Sequence, residues 1–183
     1  MKQIRSNVFE TNSSSTHSIC ISKKPVSVDG SSIHFYIGEY GWENDCVNAA
    51  DYLYTAILTQ NDSDELLHQL KNILDAHSIS YEFEEPQYSS DDEDGWKRLE
   101  NGYIDHSDET REFIYAVLSN EDMLMRCLFG DSCVHTGNDN QDCDPSGCNI
   151  ADEIIWEYDG GKYVEKLNPY HDPEHYDYFY KGN

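Results

Sequence analysis

The chain opens with period-two alternation of apolar and polar positions. It runs through Ile4 and residues 7–11 and again through residues 17–22, where Ile19 and Ile21 flank Cys20. This predicts two short strands around a Ser-rich turn, the second closed by Pro25. Residues 32–38 (SIHFYIG) read as a third strand, ending in the glycine-punctuated loop Glu39, Tyr40, Gly41, Trp42. The pattern then changes period. Residues 47–58 (VNAADYLYTAIL) have helical density, and residues 62–77 place Leu66, Leu67, Leu70, Ile73 and Leu74 on one helical face. Asp62 followed by Glu65 has the spacing of a capping box. Residues 79–83 return to a strand pattern.

Residues 84–109 carry the densest acidic run, Glu84, Glu85, Asp91, Asp92, Glu93 and Asp94 around Ser89 and Ser90. Mutual repulsion predicts an exposed, mobile loop there. Ser107 is a candidate cap for a helix with Phe113, Ile114, Val117 and Leu118, and Ser119 for one with Met123, Leu124, Cys127 and Leu128. Residues 134–149 are rich in turn formers and are not expected to be regular throughout. Residues 154–158 and 162–167 flank Asp159, Gly160 and Gly161, a hairpin signal. From Asn168 a Tyr/Asp-rich tail (168–183) either packs on the core or docks on a partner. Strands and helices without regular βαβ alternation predict one α+β domain, a mixed or antiparallel sheet packed by about four helices.

Charge changes the picture. Against 12 Lys and Arg stand 36 Asp and Glu, a formal net charge of −24 over 183 residues. Residues 1–24 hold Lys2, Arg5, Lys23 and Lys24 against Glu10, a net of +3, so the remainder carries −27. A body this anionic repels free DNA and RNA and favours cationic protein surfaces, which makes a basic, nucleic-acid-handling protein the expected partner. Acidity that serves only solubility is the alternative. The first residues contain no apolar signal core and no later stretch is apolar enough to span a bilayer, so a cytoplasmic protein without membrane association is expected. The six cysteines are too sparse for a disulfide scaffold and are read as thiols of a reducing compartment.

Candidate chemistry concentrates in residues 9–18, where Glu10, Asn12, Ser13, Ser14, Ser15 and His17 follow Arg5. Small hydroxyl residues in a turn expose N–H groups that hold a phosphate, Arg5 adds charge, and His17 can move a proton near neutral pH. Equally, the same side chains can simply hydrogen-bond the turn. Asp105 beside His106, and Asn138, Asp139 and Asn140 after Gly137, form two further polar clusters. Cys127, Cys133, His135, Cys143 and Cys148 are close in sequence, but C-x5-C-x-H and C-x4-C are not the spacings of common zinc modules, so no metal site is assigned. No Walker A, GxGxxG, HExxH or GxSxG motif is present, and no cofactor is expected.

The motifs IRSNVFETNSSSTHS, GEYGWE, ADYLYTAI, GYIDH and TGNDN together resemble a family of small proteins from Firmicute phages and mobile elements, over about the first three-quarters of the chain. Within it, this acidic chain is similar to anti-CRISPR proteins that inhibit the type II RNA-guided DNA endonuclease of streptococci. The resemblance implies an inhibitor acting in the bacterial cytoplasm on an effector with positively charged nucleic-acid channels. It also implies functional weight at Arg5, Glu10, Asn12, Ser13, Ser14, Ser15, His17, Glu39, Trp42, Tyr54, Asp105, His106 and Asn138 to Asn140.

Two mechanisms follow from that expectation. In the first, the chain cleaves the effector-bound guide RNA as a ribonuclease. His17 and His106 would transfer protons, Glu10 or Asp105 would orient a histidine or hold a divalent ion, and Arg5, Asn12, Ser13, Ser14, Ser15, Asn138 and Asn140 would hold phosphate. In the second, it is a stoichiometric nucleic-acid mimic whose carboxylates, Asp91, Asp92, Glu93 and Asp94 among them, occupy a basic channel without chemistry.

Overall fold

A computed structural model describes residues 15–43, 45–89, 98–138 and 154–181. The fold is α+β. Its centre is an antiparallel sheet of four strands in the order β10-β1-β7-β4. Here β1 is Ser15–Ser22, β4 is Cys46–Asn48, β7 is Cys133–Asn138 and β10 is Tyr176–Lys181. All eight residues of β1 are buried. Alternation along β1 assigns its faces: His17, Ile19 and Ile21 point one way with Val134 and Phe179, while Ser18, Cys20 and Ser22 point the other with Cys133, His135 and Tyr178.

Helices cover the first face. Helix α1 (Ala49–Leu58) is buried over almost its whole length. It begins two residues after the sequence-based expectation because Asn48, in extended conformation, accepts hydrogen bonds from Ala50 N (2.8 Å) and Asp51 N (3.2 Å), and the residues before it pair with β7. Helix α2 (Ser63–Ala76) buries Leu66, Leu70 and Leu74, the face its periodicity predicts. The capping box does not form. Asp62 instead takes Arg111 Nη2 at 3.1 Å and the Tyr115 hydroxyl at 2.9 Å, tying α2 to helix α3 (Arg111–Leu118). Helix α4 (Glu121–Phe129) is capped by Asn120, whose side chain accepts from Met123 N at 3.1 Å. Ser119, the expected cap, donates back to the Tyr115 carbonyl at 2.6 Å. Ser107 starts a 3-10 turn (Ser107–Thr110) rather than capping an α-helix.

Beyond the central sheet, the described residues form two parallel strand pairs and one antiparallel hairpin. Strand β2 (Ser32–Phe35) pairs with β5 (Ser80–Phe83), and β3 (Glu39–Tyr40) with β6 (Tyr103–Ile104). Phe35 stacks on Phe83 at 4.7 Å between ring centres, and the Tyr54 hydroxyl donates to the Glu84 carbonyl at 2.7 Å, which anchors β5 to α1. Strands β8 (Ile154–Asp159) and β9 (Lys162–Leu167) form the expected hairpin, turning at Gly160 and Gly161, both at positive φ.

The turn-rich stretch is regular at its beginning, where residues 133–138 form β7, an interior strand of the sheet. From Asn168 the chain packs on the core, the first of the two expected outcomes: Pro169–His171 is a 3-10 turn and β10 is the sheet's outer strand. The turn packs Tyr170 on His135 (4.4 Å between ring centres) and His171 on Tyr178 (4.1 Å), closing the second face of the sheet. Of the acidic loop, both flanks are described and they pair with each other, through a Tyr88 to Leu99 bridge and the Glu100 N to Gln87 O hydrogen bond of 2.7 Å. Its central run, Asp91, Asp92, Glu93 and Asp94, lies outside the described residues. Among the described residues no helix is long and apolar enough to cross a membrane.

Leu70 is fully buried whereas Leu67, three positions earlier on the same helix, is half-buried. Leu70→Ala should therefore cost about 2–5 kcal/mol of folding stability, and Leu67→Ala clearly less, when both are measured by urea denaturation.

Candidate functional site

The polar half of β1 is the most unusual part of the structure. A central strand normally buries aliphatic side chains, yet Ser15, Thr16, His17 and Ser18 are each at most 2 % exposed. Side-chain partners are supplied by α1, the segment before β4 and β10. His17 Nε2 donates to the Gly41 carbonyl at 2.9 Å, and the Tyr52 hydroxyl of α1 donates to His17 Nδ1 at 2.7 Å. Because a carbonyl can only accept, the Gly41 contact places the proton on Nε2, which leaves Nδ1 as the acceptor. The ring is thereby a neutral imidazole of one tautomer.

Its electrostatics agree. Burial, reinforced by the positive charge of Lys181 on the paired strand, lowers the His17 pKa to about 4; the Gly41 hydrogen bond and the Asp105 carboxylate pull the other way but are outweighed. Burial pushes the Tyr52 phenol well above its ordinary value, so it stays a neutral donor. Lys181, 2 % exposed, donates from Nζ to the Ser15 carbonyl at 3.0 Å and to Ser15 Oγ at 2.5 Å. On the other side Thr136 Oγ1 donates to the Glu43 carbonyl at 2.5 Å, and Thr136 N to the Asp45 carbonyl at 2.9 Å, which holds Glu43 and Asp45 against β7. Gly41 is buried there, and a Cβ would come within 2.8 Å of the Tyr103 hydroxyl.

Asp105 and His106 sit at the rim of this cluster. Asp105 N donates to the Tyr40 carbonyl at 3.0 Å, which continues the β3–β6 pairing and brings the carboxylate into electrostatic range of His17. His106 adopts a left-handed backbone (φ 52°), and its ring, 47 % exposed, stands 3.9 Å from the Asp105 carboxylate, too far for a hydrogen bond. Thus Ser15, His17 and Asp105 gather around one buried network, with His106 beside it at the surface. The backbone of Asn138 pairs with Ser15 at the same end of the sheet. Arg5, Glu10, Asn12, Ser13, Ser14 and Asn140 lie outside the described residues. Tyr52, Gly41, Thr136 and Lys181 complete the network. Gly41, Tyr52 and Thr136 fall inside the GEYGWE, ADYLYTAI and TGNDN motifs, whereas Lys181 reaches Ser15 from the far end of the sequence.

Two other features emerge only in three dimensions. Lys23, Lys24, Tyr170, His175 and Tyr176 line an open groove at the end of β1, but Lys23 is paired with Asp177 (3.3 Å) and Lys24 with Asp131 (3.0 Å). On the second face of the sheet, one ligand atom each from Cys46, Cys133 and His135 lie within 4.8 Å of one another.

Comparison of the chain with family models, with curated proteins and with solved structures gave no match, so the likeness to phage proteins rests on the quoted motifs alone.

The His17 shift makes a signed prediction. With the folded value near 4 and the unfolded value near 6.5, the unfolded chain binds a proton first as pH falls. The stability is therefore fully present above pH 6.5 and is lost progressively towards pH 4. Between pH 7 and pH 5 the loss from this one group is about 2 kcal/mol. In urea titrations at the two pH values, His17→Gln should lower stability at pH 7 and flatten the difference between pH 7 and pH 5 by that amount.

Proposed function

We propose that the protein is a stoichiometric, anionic inhibitor of a basic nucleic-acid-handling protein, and that the partner is the type II RNA-guided endonuclease to which its motifs point. The observation that carries this reading is how the positive charges are used. Lys23, Lys24, Arg111, Arg126 and Lys166 are each committed to a carboxylate of the same chain, and Lys181 is buried. The remaining acids on the outside, among them Glu85, Glu100, Asp108, Glu109 and Glu112, are exposed and outnumber any cation available to screen them. Such a surface attracts a positively charged channel and repels nucleic acid. The paired flanks of the acidic loop give its central carboxylates a fixed base from which to enter a channel.

Guide-RNA cleavage through His17 is supported less well. Both ring nitrogens are engaged by Tyr52 and Gly41, and a ring that titrates near 4 is a weak base at neutral pH. RNA would have to displace a buried tyrosine to reach it.

Titrating the protein against guide-loaded endonuclease in a DNA-cleavage assay should give a one-to-one end point and intact guide on a denaturing gel. Apparent affinity should fall steeply with salt. Neutralising Asp91, Asp92, Glu93 and Asp94 to their amides should weaken inhibition at least about tenfold, while His106→Ala should leave it unchanged. Shortened guide at substoichiometric inhibitor would contradict this reading and establish the catalytic one.

A further inference from the structure

The register of the central sheet collects cysteine and histidine onto one surface. Cys46 lies opposite His135, and Cys133 lies two residues before His135 on β7, so all three side chains leave the sheet on the same side. Their sulfur and nitrogen atoms lie within 4.8 Å of one another, with His135 Nε2 3.2 Å from the Cys133 sulfur. Cys20, opposite Cys133 on β1, adds a neighbouring thiol on that face. His135 is 1 % exposed, and its Nδ1 has no hydrogen-bond partner among the described residues. A buried imidazole with an unused nitrogen beside two thiols is costly unless something else engages it. Cys46 is exposed, so the group is reachable from solvent.

We propose that Cys46, Cys133 and His135 bind one zinc ion, with a fourth position open to water or to a neighbouring thiol. Two sulfurs and one imidazole select zinc over magnesium or calcium, and three protein ligands on a rigid sheet satisfy all but one position of its tetrahedral shell. As the two zinc–sulfur bonds form, each thiol gives its proton to bulk water, and His135 binds as the neutral ring. The ion would join β4 to β7 directly after the loop 41–45. That loop supplies the Gly41 carbonyl to His17, so the site acts as a clasp on the buried network.

The site is invisible to spacing rules because Cys46 is 87 positions away from Cys133 in sequence and reaches it only through sheet pairing. The test is metal content and cobalt spectroscopy on the reduced, full-length chain. Zinc added to metal-free protein should bind one ion per chain, release two protons and raise the thermal midpoint. Cobalt should give thiolate charge-transfer absorption and tetrahedral visible bands. Cys46→Ser, at an exposed position the fold tolerates, should weaken cobalt binding at least about a hundredfold, as should Cys133→Ser. Cys143→Ser with Cys148→Ser should leave it intact. The proposal fails if folded, reduced protein takes up neither metal at micromolar concentration. It fails equally if binding survives Cys46→Ser and Cys133→Ser but is lost in the Cys143/Cys148 double variant, or if Cys133 proves to be held in a disulfide.

Discussion

The constraint on which the rest of this structure depends is the burial of a polar central strand. The first four described residues of β1 carry hydroxyls and an imidazole, and none reaches water. Leaving such groups unpaired in the interior costs on the order of 1–3 kcal/mol each, so the fold must bring partners to them. It does so from distant parts of the chain. Tyr52 comes from α1, Gly41 from the segment before β4, and Tyr178 and Lys181 from β10. Each partner reaches the strand only when its own element is in register, so the network rewards one arrangement of the sheet over its slipped alternatives.

This division also separates the molecule's two kinds of charge. Inside, burial keeps His17 neutral, reinforced by the charge of Lys181. Outside, among the described residues, Lys23, Lys24, Arg111 and Lys166 are engaged in short ion pairs such as Lys24 with Asp131 (3.0 Å). Surface pairs of this kind add little stability individually. Their consequence is electrostatic: they leave the described solvent face predominantly anionic. The interior polar cluster fixes the shape, and the exterior carboxylates carry the interaction we propose.

What could be read from the sequence followed period. The leucine stripe of α2, the alternation of β1 and the Asp-Gly-Gly hairpin all declare themselves locally, and all form as expected. What could not be read depended on pairing. The strand over residues 133–138 is hard to read because Thr136, Gly137 and Asn138 are turn formers, and it is the pairing with β1 that makes them strand. Asp62 has capping-box spacing, yet an ion pair with Arg111 is the stronger use of its carboxylate. The same limit applies to the site. His17, Ser15 and Asp105 stand out by residue type, but whether an imidazole is a proton shuttle or a buried strut is decided by Tyr52 and Gly41, and the assembly of Cys46 with Cys133 and His135 is decided by register.

The claim that His17 is a fixed, neutral strut is tested most directly by nitrogen NMR of the imidazole ring across pH. The account predicts a single Nε2–H tautomer, unchanged from pH 7.5 to about pH 5 and slow to exchange its ring proton. A ring that titrates close to 6.5, or that interconverts between tautomers at neutral pH, would contradict it.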